Sequence, residues 1–282
     1  MTSLRQTTID AMLLRGYAER TQHSYLYAIE RLARYYNRNP ALLTRDEIQA
    51  YFLYVIKTRH WSPASCRLSM NAFRFLYIDV LKWKSDTFLF DLPKRHQQIP
   101  ELLTQYEVTS ILAATTNLKQ KTLLCLCYGS GLRVSELAHL LVSDIDSERH
   151  LLKVTQGKGR KDRQVILPDS LITLLRKYWH QYHPHHWLFY ATDIQQPISI
   201  STVQKYFRQA KLRAGISKNG GIHSLRHAYA THQITAGMPI HGLQQQMGHK
   251  DIHSTMRYLH WAPRYIEGQT NDLIALMEVT DE

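Results

Sequence analysis

The sequence predicts a mainly α-helical protein with one small β-sheet, built as an N-terminal helical domain followed by an α+β domain. Three observations predict it. Residues 1–90 repeat apolar side chains every three to four positions and contain no convincing strand. Residues 91–102 interrupt that pattern: Pro93 and Pro100 flank a polar, basic stretch, and each proline biases its predecessor away from helix. Beyond it, two short strand-like runs stand among further helical patterns. The expected division is a domain over 1–90, a linker over 91–102 and a second domain over 103–282. A chain of 282 residues suits two cores.

The elements follow in order. Leu4, Ile9, Met12, Leu13 and Tyr17 form a first stripe, and after Gly16 a second runs through Tyr25, Ile29, Leu32, Ala33 and Tyr36. Thr44 precedes Glu47 by three, a capping-box spacing that starts a third helix near Arg45 and carries it to about Lys57. Ser62 and Pro63 make an N-cap and first-turn pair for a fourth helix through Leu68, Phe73, Leu76 and Val80. In the second domain Thr104 and Glu107 repeat the capping spacing. An apolar interior, Leu123 to Tyr128, is broken by Gly129-Ser130-Gly131, and a new helix is expected from Leu132 to Leu141. Leu151 to Thr155 and Gln164 to Leu167 read as strands joined by a charged, glycine-containing hairpin tip. Helices fit Ser170 to Tyr182, Ser201 to Ala214, Ser224 to Ala236, Ile240 to Met247 and Ser254 to Trp261, with Gly248 closing the fourth of these as its C′ residue. Tyr265 to Met277 carries a last apolar stripe.

The formal charge is +12 and is carried by both halves: 15 Lys+Arg against 8 Asp+Glu in residues 1–100, and 20 against 15 in the remainder. Two basic halves fit one long polyanion better than a basic tail would, which points to nucleic acid. No apolar run approaches the ~18 residues of a membrane helix, and no signal core opens the chain, so a cytoplasmic protein without membrane association is expected. Cys66, Cys125 and Cys127 form neither a metal pattern nor an even disulfide set, and the last two sit in an apolar run.

The chemistry concentrates in scattered polar clusters: Arg133 in G-L-R-V-S-E-L, Lys158 in G-K-G-R-K-D-R, His223 and Arg226 in H-S-L-R-H, His249 in M-G-H, and Tyr258 in S-T-M-R-Y-L-H-W. In-line attack on a phosphodiester needs a nucleophile, charge neutralisation on the non-bridging oxygens, a proton for the leaving oxygen, and alignment. Two guanidinium forks suit the oxygens. A lysine can supply a proton, a histidine can shuttle one, and a tyrosine can attack when nearby cations favour its phenolate. G-K-G-R-K-D-R lacks the spacing of a phosphate-binding P-loop, and the His223/His227 pair has no Glu between its members to make a zinc motif. No metal or cofactor is expected. Each cluster alone has an ordinary structural reading; the ordered set is what points to chemistry.

That set resembles the tyrosine recombinases, the phage-integrase-type family, and in particular its XerC/XerD-like members. The resemblance rests on the motifs at 131–137, 157–163, 223–227 and 247–249 and on Tyr258 nine residues after His249. It covers essentially the whole chain, since residues 1–90 look like the family's helical core-binding (SAM-like) domain. It implies that Arg133 and Arg226 hold the scissile phosphate, Lys158 protonates the 5′-hydroxyl, His223 assists proton transfer, His249 hydrogen-bonds the phosphate, and Tyr258 attacks to leave a 3′-phosphotyrosyl link. Glu136 would orient the site without doing chemistry. It further implies double-stranded DNA with inverted half-sites as substrate. Four protomers, of this chain alone or with a related recombinase, would exchange strands through a Holliday junction, with residues 266–277 docking on a neighbour. Arg257, directly before Tyr258, departs from the uncharged residue common in relatives. Two rivals stay open on the sequence: a DNA-binding protein of this fold that does not cut, and a type IB topoisomerase-like relaxing enzyme.

Overall fold

The first helical pattern forms α1 (Ser3–Leu14) and α2 (Glu19–Tyr36), followed by α3 (Arg45–Lys57) and α4 (Pro63–Arg74). The computed structural model describes residues 3–88, 90, 100–155 and 162–261. The chain divides into two compact units, Met1–Gln98 and Ile99–Glu282.

In the first unit the local signals act as read. Thr44 accepts from the Glu47 amide while the Glu47 carboxylate accepts from the Thr44 amide at 2.7 Å, which satisfies two of the free donors at the start of α3. Ser62 accepts from the Ser65 amide with Pro63 in the first turn of α4. Ile29, Leu32, Ile48, Phe52 and Phe73 fill the core. The fourth helix changes character before Val80. Phe75–Val80 widen into a π-helical turn, and there buried Tyr77 donates to the Pro40 carbonyl at 2.8 Å. Of the arginines, Arg31 lies 4.4 Å over the Trp61 ring and Arg15 pairs with Asp79 at 2.8 Å.

The second unit begins with residues 100–102, the end of the expected linker, pinned down: Glu101 accepts from the Asn219 amide and Leu102 from Lys218, both at 2.7 Å. Then come α5 (Gln105–Ala113), α6 (Leu118–Ser130) and α7 (Val134–Ala138). The helix expected to reach Leu141 stops at Ala138. The Asp144 carboxylate takes the Leu141 amide at 2.9 Å, and Leu141 bridges to Trp187, so the chain leaves the helix to join an extended segment. Next are β1 (Ile145–Asp146), β2 (Leu151–Val154) and β3 (Arg163–Ile166), an antiparallel sheet in the order β1-β2-β3 with Leu152 opposite Val165. β1 is a strand that the sequence reading did not contain. The helices α8 (Asp169–Tyr182), α9 (Ile200–Arg213), α10 (His223–Thr235), α11 (Ile240–Met247) and α12 (His253–Trp261) lie within a residue of their expected bounds.

Leu152, Val154 and Val165 of the sheet belong to one buried cluster with Leu126 of α6, Leu137 of α7 and Leu225 of α10. Gln246 of α11 ties the outer strand in place, accepting from the Ile166 amide at 2.9 Å. The linker residues 91–99, the hairpin tip with Lys158, and the terminal segment 266–277 lie outside the described residues.

Candidate active site

Two glycines set the frame. Gly131 ends α6 at φ 62°, and a Cβ there would run into the Tyr229 ring. Gly248 ends α11 at φ 62°, and a Cβ there would lie 2.7 Å from Arg163 Cδ. Both turns can therefore bring bare backbone carbonyls close to cationic side chains.

Arg133 stands just before α7. Its Nη1 donates to Glu136 at 2.7 Å and its Nη2 to the Gly248 carbonyl at 2.9 Å. Arg226, in the first turn of α10, is 4% exposed. It donates from Nη1 to the Gly131 carbonyl, and from Nη2 to Met247 at 2.7 Å and His249 Nε2 at 3.0 Å. Both guanidiniums thus hold the single turn Met247-Gly248-His249, although 93 residues of sequence separate them. Burial and the neighbouring Arg133 charge bring the Arg226 pKa down to about 10, so it remains a cation at neutral pH.

His249 accepts a hydrogen bond from Arg226, which can only donate. Its Nε2 is therefore the lone-pair nitrogen, and Nδ1–H donates to Thr255 Oγ1 at 2.8 Å. Burial, then Arg226 and Arg133, push its pKa down to about 3, which fixes the neutral form. The ring lies parallel to that of Tyr258, centroids 6.1 Å apart.

Tyr258 is 3% exposed. Its ring meets the Trp261 edge at 5.2 Å, and its hydroxyl bonds His227 Nδ1 at 2.9 Å. The expectation that cations favour its phenolate is reversed. Burial raises the Tyr258 pKa by more than Arg226, Arg257 and Arg133 lower it. His223, the first residue of α10, is exposed and has no hydrogen-bond partner among the described residues. The protein packed around it, then Arg226 and Arg133, lower its pKa.

The structure therefore gathers Arg133, Arg226, His249 and Tyr258, sets His223 on the open side of the same helix, and leaves Lys158 outside the described residues. It also adds two residues that the sequence reading passed over. Arg163, at the start of β3, donates from Nη1 and Nη2 to the two Glu136 oxygens at 2.9 and 2.8 Å, and from Nε to the Gln246 carbonyl. Glu136 is thus shared between Arg133 and Arg163. Burial works against its charge, but the two arginines outweigh burial and hold its pKa at about 2. Strand alternation contained the signal: Arg163 is two residues from buried Val165 and so faces inward, where an arginine needs a carboxylate. His227 lies four residues after His223 on one helix. Weighed only as half of a metal pair, that spacing concealed a partner for the tyrosine. Among the described residues no three His, Cys, Asp or Glu side chains are grouped to hold a metal ion.

Known proteins place this geometry in context. The profile described as "Phage integrase family" matches residues 96–264, and that described as "Phage integrase, N-terminal SAM-like domain" matches residues 4–86. The chain is 36% identical over 261 residues to "Putative integrase/recombinase y4qK" of Sinorhizobium fredii, covering 92% of this chain and 84% of that one. It is 30% identical over 236 residues to "Tyrosine recombinase XerC" of Chlamydia trachomatis serovar L2, covering 78% and 74%. In fold it resembles a lambda integrase dimer bound to a COC' core site, with TM-score 0.74 at 21% identity over 96% of this chain and 78% of that one. With both profiles matched in order and relatives of 36% and 30% identity aligned over most of its length, the chain belongs to the phage integrase family and is a tyrosine-type site-specific recombinase.

Proposed function

We propose that this recombinase acts on double-stranded DNA at a site made of inverted half-sites, with four protomers exchanging strands between two duplexes through a Holliday junction in the cytoplasm. Arg133 and Arg226 hold the non-bridging oxygens of the scissile phosphate. Tyr258 attacks the phosphorus, the 3′-phosphotyrosyl bond forms, and the bond to the 5′-oxygen breaks. Lys158 gives that oxygen its proton. His223, on the open side, assists proton transfer at the rim of the site. His249, expected to hydrogen-bond the phosphate, has Nδ1–H on Thr255 and Nε2 on Arg226, so its part is to hold Arg226 in place rather than to donate to the phosphate itself. The ester keeps the energy of the broken linkage, so a 5′-hydroxyl from another strand can reverse the step without a nucleotide cofactor. Residues 1–90 form a core-binding DNA-binding domain, joined by the linker 91–102 to a catalytic domain over 103–282.

One observation carries this reading: both guanidiniums donate to the single turn Met247-Gly248-His249, beside the ring of Tyr258. Their unused N–H groups are the donors left for an anion, since Arg133 and Arg226 each have five and spend only some of them on protein.

The test is a pool of duplexes with randomised sequence, enriched by binding to the protein and then nicked so that cleavage is trapped. A covalent protein–DNA adduct on a denaturing gel, absent in Tyr258→Phe, is expected. Retention of duplexes without any adduct would mean a binding protein. Relaxation of supercoiled plasmid without strand exchange would mean a topoisomerase-like enzyme.

A further inference from the structure

When Tyr258 Oη bonds to phosphorus, its proton must go to some acceptor. Among the described residues one side chain is bonded to that hydroxyl, and it is His227, through Nδ1 at 2.9 Å. Of the two partners, the phenol O–H is the stronger acid and therefore donates, leaving the imidazole proton on Nε2. The phenol ring is held from the other sides by His249, parallel at 6.1 Å, and by the Trp261 edge at 5.2 Å. His227 meets Trp261 edge-on at 5.8 Å, so both members of the hydrogen bond are braced by the same indole. His227 directly follows Arg226 in α10, and the helix that supplies a phosphate ligand thus also supplies an acceptor. His223, the histidine within the family motif, makes no such contact.

We propose that His227 is the catalytic proton acceptor for Tyr258. This rests on the recombinase reading above. In the forward step the Oη–P bond forms, the P–O5′ bond breaks with its electron pair passing to O5′, and the phenol proton moves to His227 Nδ1. The 5′-oxygen takes a separate proton from the general acid. In rejoining, the imidazolium returns its proton to Oη as the 5′-hydroxyl displaces it. The groups facing His227 are His223 and Arg226 on its own helix, Tyr258 and Arg257 on α12, and His249 across the tyrosine ring. Burial, then the charges of His223, Arg226 and Arg257, bring its pKa to about 4, so the acceptor nitrogen is unprotonated at neutral pH. A phosphodiester bound to Arg226 offsets part of that charge and makes the imidazole a better base as the substrate arrives.

The experiment measures single-turnover adduct formation by the full chain on the nicked duplexes selected by the wild-type protein from a randomised pool. His227→Leu, His227→Asn and His227→Ala are compared, with DNA binding measured by gel shift to confirm folding. Leu and Asn are each expected to slow adduct formation about a hundredfold. Asn retains an acceptor oxygen but cannot hold a proton, so it separates a base from a positioning group. In His227→Ala, added imidazole is expected to restore much of the rate, and the acid limb of the wild-type pH profile is expected to disappear without it. His227→Leu reacting at the wild-type rate or faster would overturn the assignment, as would full activity of His227→Asn. If the Ala protein binds DNA poorly, Asn alone decides. If the wild-type protein forms no Tyr258-dependent adduct, the recombinase reading falls and takes this assignment with it; if it forms one and the His227 variants match it, only the assignment falls.

Discussion

Replacing Arg163 with methionine tests whether Glu136 truly couples two arginines. Glu136 is nearly buried, with 6% of its side chain exposed, and it accepts from the Arg133 amide, Arg133 Nη1, and Arg163 Nη1 and Nη2. Methionine removes two of these four bonds and leaves a carboxylate with a single cation. Breaking one side of a buried ion pair costs roughly 3–5 kcal/mol. The acid side gives an independent measure. The Glu136 pKa falls from its ordinary 4.5 to about 2, and at about 1.4 kcal/mol per tenfold this corresponds to about 3 kcal/mol. The sign follows from the direction: a lowered carboxylate pKa stabilises the fold above pH 4.5, and that contribution is lost as the pH falls toward 2.

The assay is urea unfolding of the full chain at a series of pH values, with amide exchange in β2 and β3 reporting on the second unit. Arg163→Met should lose roughly 3–5 kcal/mol at pH 7, and Glu136→Gln should lose the pH dependence between 4.5 and 2. The double variant Glu136→Leu/Arg163→Met should be less damaged than the sum of its parts, because no stranded charge remains. A coupling below about 1 kcal/mol in that cycle would refute the reasoning and reduce the pair to a surface-like contact.

Three further outcomes follow from the same geometry. Gly248→Ala forces a side chain into positive φ with its Cβ 2.7 Å from Arg163 Cδ, and should cost roughly 1–3 kcal/mol and at least tenfold in adduct formation, read by unfolding and by single-turnover cleavage. Arg226→Lys keeps the charge but cannot reach Gly131, Met247 and His249 together, so cleavage should fall about 10²–10³-fold with DNA binding retained in a gel shift. His227 and His249 have pKa values lowered to about 4 and about 3, so the unfolded chain takes up protons first; stability of the second unit should decline as the pH drops from about 6.5 through those values, and His249→Phe should flatten part of that slope in a thermal scan.

Helix starts were the most legible part of the fold, because their chemistry is local. Thr44 with Glu47, Ser62 with Pro63 and Thr104 with Glu107 each satisfy backbone donors within one turn, and the structure shows those contacts. Where the outcome depended on distant residues, the sequence carried less. The helix after Gly131 ends early because Asp144 and Trp187 compete for Leu141. β1 has only two residues and no alternation to display. The π-helical turn at 75–80 coincides with the bond between Tyr77 and Pro40, 37 positions away.

The site shows the same split, with a consequence for mechanism. Residues named from motifs, Arg133, Arg226, His249 and Tyr258, come together; the residues that orient them, Arg163, Thr255, Gln246 and His227, are drawn from the same stretches but face each other only after folding. The hydrogen bonds of the cluster are directed inward. Arg226 donates to three protein acceptors, His249 donates to Thr255, and Tyr258 sits on His227. On the proposed reading a phosphate is taken by the N–H groups that Arg133 and Arg226 leave unspent, and the bonds that hold the 247–249 turn stay in place beneath it. Burial raises the Tyr258 pKa by more than its arginines lower it, so a hydroxyl that is to attack must pass its proton to a bonded acceptor rather than lose it to solvent beforehand.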